Sequence, residues 1–117
     1  MLSYSRGPAS SLVEHTVDQA FRETVRRFPQ REALISAHQK IRLTFSALDQ
    51  RVEEGARGLA GLGLMTGDRV GIWSANYAEW IILQLACARA GLVLVNVNPA
   101  YRSHELAFVL KRSRIKA

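Results

Sequence analysis

The chain has one cysteine, so no disulfide can form within it and its fold must be held by packing alone. Cys87 sits among Ile82, Ala86 and Ala88, where a thiol acts as a small apolar residue, and this usage fits a reducing compartment. Prolines number three and no segment is polar and biased enough to be disordered, so a folded chain is expected almost throughout. Long apolar runs are missing. The most apolar stretch, Trp80 to Val97, is interrupted by Gln84, Arg89 and Gly91. A helix of about 14 residues rises only about 21 Å against the roughly 30 Å of hydrocarbon, so no transmembrane span is expected.

Chemistry-bearing motifs are also scarce. No Gly-Lys-Ser/Thr occurs, and the glycines at 55, 58, 61 and 63 match neither a P-loop nor a dinucleotide fingerprint. Close helix packing and a helix stop explain them better. His15, His38 and His104 lack partners at metal-ligand spacing, which argues against a metal site. Glu53 and Glu54 are neighbours on a helix and diverge by about 100°, so they cannot converge as an acid/base pair. Ser10, Ser11, Ser46, Ser74 and Ser103 have neither a nucleophile elbow nor an evident base, and read as caps and turns. Asn76, Asn96 and Asn98 lie at or just past the carboxyl ends of expected strands, where open α/β sheets place ligands, though turn roles suffice.

Acidic residues are outnumbered, with 13 arginines and 3 lysines against 10 acids and a net charge of +6. The arginines are spread over several elements with acids nearby, and aromatics, at 8%, form no strip for stacking bases. No nucleic-acid partner is expected. The one dense cluster, Lys111, Arg112, Arg114 and Lys116, closes an expected helix and complements its carbonyl end.

What remains is a patterned α/β chain. Residues 1 to 11 read as an extended lead-in, without the apolar core of a signal peptide or an Arg-rich transit pattern. Thr16 and Gln19 have capping-box spacing before Val17, Ala20, Phe21, Val25 and Phe28, and Pro29 ends that helix. Glu32 to Ala37 and Ile41 to Phe45 predict a hairpin around His38-Gln39-Lys40. A second helix spans about Ser46 to Leu62, burying Leu48, Val52, Ala56, Leu59 and Leu62, with Asp49, Arg51, Glu53 and Glu54 toward water and Gly63 as its stop. Arg69 to Trp73, Tyr77 to Ala90 and Leu92 to Val97 predict a right-handed parallel strand, helix, strand unit. The helix carries its three polar residues, Glu79, Gln84 and Arg89, all round its axis, so it needs partners on several sides. Ser103 is expected to cap a fourth helix with Leu106, Ala107, Val109 and Leu110 on its apolar side. Arg114 to Ala117 read as the start of a further strand. The chain therefore reads as the opening of a longer enzyme.

The ordered run Thr66 to Trp73, then Asn76 to Trp80, Ala88 to Gly91, Asn96 to Tyr101 and Glu105-Leu106 resembles the N-terminal part of the adenylate-forming, AMP-binding acyl-CoA synthetases. Arg31 to Leu34 and Leu43 to Leu48 are similar to the opening hairpin and helix of that family. Through Asn98 to Tyr101 and the Tyr4 to Pro8 lead-in, the chain is most similar to medium-chain synthetases related to acyl-CoA synthetase family member 2. The resemblance implies a division into residues 1–15, a lead-in, and 16–117, the N-terminal part of an AMP-binding domain truncated at its C-terminal end, with an incomplete sheet. It implies a whole enzyme that uses ATP and Mg²⁺ to turn a fatty acid into an acyl-adenylate and passes the acyl group to coenzyme A. The family's Ser/Thr/Gly-rich phosphate loop with its Lys, its ribose-binding Asp and its catalytic Lys have no counterpart in residues 1–117. No catalytic, cofactor-binding or metal residue is therefore assigned. The segment is expected to bind none of these cofactors alone and to act as scaffold for the remainder of its own chain. Its expected compartment is the cytoplasm, with mitochondria an option known among such relatives. The competing reading is a stand-alone interaction or regulatory module that completes the sheet edge of a full-length synthetase.

Overall fold

The computed structural model describes residues 3–117. Residues 1–2 of the expected lead-in lie outside them, and residues 3–16 carry no helix or strand. The elements follow as α1 (Val17–Arg27), β1 (Glu32–Ser36), β2 (Ile41–Thr44), α2 (Phe45–Gly61), β3 (Arg69–Trp73), α3 (Ala78–Ala90), β4 (Val93–Val97) and α4 (Ser103–Ser113). Two small sheets result: β1 and β2 pair antiparallel, and β3 and β4 pair parallel.

Local chemistry sets most boundaries. The Thr16 hydroxyl accepts the Gln19 N–H at 3.1 Å while Gln19 Oε1 accepts the Thr16 N–H at 2.9 Å, which fills two donors that a helix start leaves open. Thr44 ends β2 and also caps α2 by accepting the Ala47 N–H at 3.2 Å, so Phe45 belongs to the helix rather than to the strand. Gly63, at φ 77°, turns the chain out of α2. Leu62, expected in the buried stripe, is 69% exposed because the helix has already ended, and Leu64 packs on the core in its place.

The core lies where α2 and α3 meet over β3 and β4. Leu48, Val52, Ala56 and Leu59 of α2 join Val70, Ala86, Cys87 and Leu92. Burying one such Val or Leu is worth about 1.5 to 3 kcal/mol. Gly55 permits the close approach, since a Cβ there would stand 3.1 Å from Ala86 Cβ; Gly58 and Gly61 face open space, so close packing accounts for only one of the three. α1 contributes no buried residue, though the Phe21 ring leans on the core.

The last segment departs from the strand expected over Arg114 to Ala117. Arg114 takes φ 50° and caps α4, which uses up the first residue of that strand. Only Lys116 and Ala117 pair: the Lys116 N–H reaches Arg69 O and the Gly71 N–H reaches Ala117 O, both at 2.8 Å. Asp68 O is taken by the Val93 N–H at 2.9 Å, so this pairing lies on the edge of β3 opposite β4. In α4, Leu106 and Val109 are half-buried while Ala107 and Leu110 are exposed. Ser103 begins the helix without capping it; the Glu105 carboxylate accepts the Arg102 N–H at 3.2 Å.

Candidate functional site

Because β3 and β4 are parallel, with Trp73 beside Val97, the loops after both strands leave on the same edge. That edge is where open α/β sheets hold ligands. An open groove there is lined by Trp73, Pro99, Ala100, Tyr101, Arg102 and Ser103. Asn98 shapes its wall: Asn98 Oδ1 accepts the Ala100 N–H at 2.9 Å and its carbonyl accepts the Tyr101 N–H at 3.0 Å, a turn role. Asn96 is exposed on β4, and Asn76 lines a different groove with Ser36, His38 and Tyr77. The three asparagines do not converge.

The helix starts are partly occupied by the chain's own side chains. A helix start offers N–H donors to phosphate only while they are free. Among the described residues one amide at each helix start meets a side-chain acceptor: the Gln19 N–H on Thr16, the Ala47 N–H on Thr44, the Ala78 N–H on Gln39 and, just before α4, the Arg102 N–H on Glu105. Glu79 adds a carboxylate in the first turn of α3. Among the described residues no three His, Cys, Asp or Glu side chains come together as a metal site. Likewise no helix among them is long and apolar enough to cross a membrane. No chemical step is assigned to these residues.

Two polar clusters went unread in the sequence, and both are structural. Gln39, on the hairpin turn, accepts the Ala78 N–H at 2.8 Å and the Ser36 hydroxyl at 2.7 Å through Oε1, and donates to Glu79 at 2.8 Å through Nε2. The Gln39 amide holds the Glu79 carboxyl below its usual range. Ser36 stands 3.4 Å from His38 Nδ1, but its proton is committed to Gln39, which leaves no activated nucleophile.

The second cluster corrects the picture of Asp49 and Glu53 as water-facing. The Arg89 side chain, 6% exposed, bonds Asp18 of α1 at 2.8 Å and Asp49 of α2 at 2.6 Å, with Glu53 at 3.3 Å. Burial alone would lower the Arg89 pKa; the bonds from Asp49 and Asp18 outweigh it and raise it. At Asp18 burial raises, and the bonds from Arg22 and Arg89 outweigh it, so the carboxyl titrates below its ordinary value. A lone arginine in the most apolar helix, with acids four apart on α2, was the signal that could have exposed this cluster.

Residues 21–117 match the AMP-binding enzyme family, and the chain belongs to that family. Its β3–α3–β4 unit with covering helices is the N-terminal part of an adenylate-forming fold. It is 48% identical over 112 residues to the mouse medium-chain acyl-CoA ligase ACSF2, mitochondrial, covering 95% of this chain and 18% of the mouse protein. It superposes on a Mycobacterium tuberculosis fatty acyl CoA synthetase with a TM-score of 0.83 at 26% identity, over 86% of this chain and 20% of that one. For the N-terminal domain of FACL13 from the same organism the TM-score is 0.84 at 25% identity, over 87% and 26%. The chain spans about a fifth of the length of the curated relatives it matches.

Proposed function

We propose that this chain is the N-terminal scaffold of an acyl-CoA synthetase that activates a medium-chain fatty acid with ATP and Mg²⁺ to an acyl-adenylate and transfers the acyl group to coenzyme A. The observation that carries this reading is the 48% identity, over nearly the whole chain, to a medium-chain acyl-CoA ligase. In this reading residues 16–117 are the first part of the AMP-binding domain, residues 1–15 lead into it, and the catalytic groups lie in the remainder of the polypeptide. The chemistry fits this division of labour: adenylation needs cations around developing phosphate charge, and the family resemblance puts the phosphate loop and the catalytic Lys outside residues 1–117.

The test is ATP–pyrophosphate exchange. A polypeptide of the relatives' length that includes this segment is expected to exchange pyrophosphate in the presence of a medium-chain acid, and the 117-residue chain to give only background. Exchange by the short chain, or none with any fatty acid by the long one, would overturn the proposal. The cytoplasm is the compartment expected for it, and fractionation tests that against the mitochondrial designation of the mouse relative.

One observation favours a second reading. Among the described residues β4 pairs only with β3, so its other edge is open to a further strand. An interaction module would use that edge to bind a full-length synthetase, and would co-purify with it.

A further inference from the structure

On α4 an aromatic ring stands in water between unpaired cations. Phe108 is 66% exposed and shares a surface concavity with Lys111, Arg112 and Arg114. Three- and four-residue spacing puts Lys111 and Arg112 on the Phe108 side of the helix, turned away from Leu106 and Val109, which pack inward. Lys111 and Arg112 lie in the last turn of α4, where they also complement its carbonyl end. The Ser113 carbonyl at the end of α4 is already bonded by the Arg69 guanidinium at 3.1 Å. Among the described residues Lys111, Arg112 and Arg114 enter no ion pair, whereas Lys116 next along pairs with Asp68 at 2.7 Å. Arg114 also occupies a φ of 50°, a position better suited to glycine or asparagine.

We propose that this face of α4 docks on an anionic phospholipid surface. Cations held without acidic partners complement lipid phosphate and carboxylate, and an exposed phenylalanine between them suits the boundary of headgroups and acyl chains. A purely acidic segment would satisfy the cations and leave the ring in water, whereas an anionic lipid surface accommodates both. The site is separate from the groove at the strand ends.

Vesicle sedimentation of the full 117-residue chain tests it. Binding to phosphatidylcholine vesicles with phosphatidylserine as about a third of the lipid is expected to exceed binding to phosphatidylcholine alone, and to fall as salt is raised. Phe108→Ala, with charge unchanged, is expected to weaken partitioning about fivefold or more. Lys111→Glu combined with Arg112→Glu should reduce it to background, while Arg6→Glu, outside the patch, should change it by less than about fivefold. All these positions are exposed, and unchanged circular dichroism checks that the variants fold. Equal binding to both vesicle types, full binding by Phe108→Ala, or equal loss from Arg6→Glu would overturn the proposal. So would tighter, ring-independent binding to polyglutamate, which would mark a protein-docking patch.

Discussion

Arg89 donates from Nη2 to Asp49 Oδ1 at 2.6 Å, and this bond joins the end of α3 to the start of α2 across forty residues of chain. The same guanidinium holds Asp18, so one side chain ties three helices together. Its guanidinium carbon lies over the Phe21 ring, 5.9 Å from the ring centre, and Phe21 in turn lies against Phe45 at 6.5 Å between centroids. α1 buries no residue, so this contact and the Phe21 ring are what dock it.

Replacing Arg89 by Ala should therefore cost about 3 kcal/mol, the low end for breaking a buried pair, because Asp49 and Glu53 can turn to water once released. Arg89→Met with Asp18→Asn and Asp49→Asn should recover part of the loss. Urea unfolding at neutral pH measures both, and a loss under about 1 kcal/mol for the single variant would show that α1 is docked by packing alone.

Acid should loosen the same junction. The Asp18 carboxyl titrates below its ordinary value of 3.8 in the folded chain. Its contribution is thus complete above that value and disappears as pH falls through the lower, folded one. Asp18→Asn is expected to lower stability at neutral pH and to flatten the decline below pH 3.8, read by thermal melts across that range.

The hairpin turn reaches α3 through Gln39, and Gln39→Ala should cost about 1 to 2 kcal/mol by freeing the Ala78 N–H and the Ser36 hydroxyl. Hydrogen exchange at Ala78 provides the local check. Faster exchange there, with α4 unchanged, is the expected pattern.

Two glycines should respond in opposite directions to alanine. Gly91 sits at φ 70° and a Cβ there would come 3.1 Å from Thr66 Cγ2, so Gly91→Ala should destabilise by about 1 to 2 kcal/mol. Gly58 lies within α2 facing open space, and Gly58→Ala should stabilise by up to about 1 kcal/mol. Denaturant midpoints of the pair separate backbone strain from helix propensity.

Self-association should rise with concentration. Trp73, Tyr77 and Val93 are each about half exposed around an open two-stranded sheet. Light scattering over a dilution series is expected to report species above 13.0 kDa that shrink on dilution; a monodisperse monomer at all concentrations would contradict it.

Periodicity made most of this fold legible. The α2 stripe, the capping box at Thr16, the hairpin and the parallel unit all depend on neighbours within a few residues, and a pattern of that range survives in a single sequence. Arg89 and Gln39 did not, because all their partners but Ser36 lie 36 to 71 residues away and only the folded chain brings them within hydrogen-bonding reach. Leu62 and Arg114 were misplaced for a shorter-range reason: each sits at a helix end, where one residue of difference moves a side chain from core to solvent. The family resemblance rested on ordered short motifs. No binding residue was read from the sequence, and Asn98, the strand-end candidate, is spent on its own turn.

Cys87 gives the chain a built-in reporter. It is the sole thiol, 1% exposed in the seam between α2 and α3, and burial raises its pKa, so a disulfide reagent in solution meets neither a surface nor a ready thiolate. The rate at which such a reagent turns yellow would count how often the seam parts, without any added label.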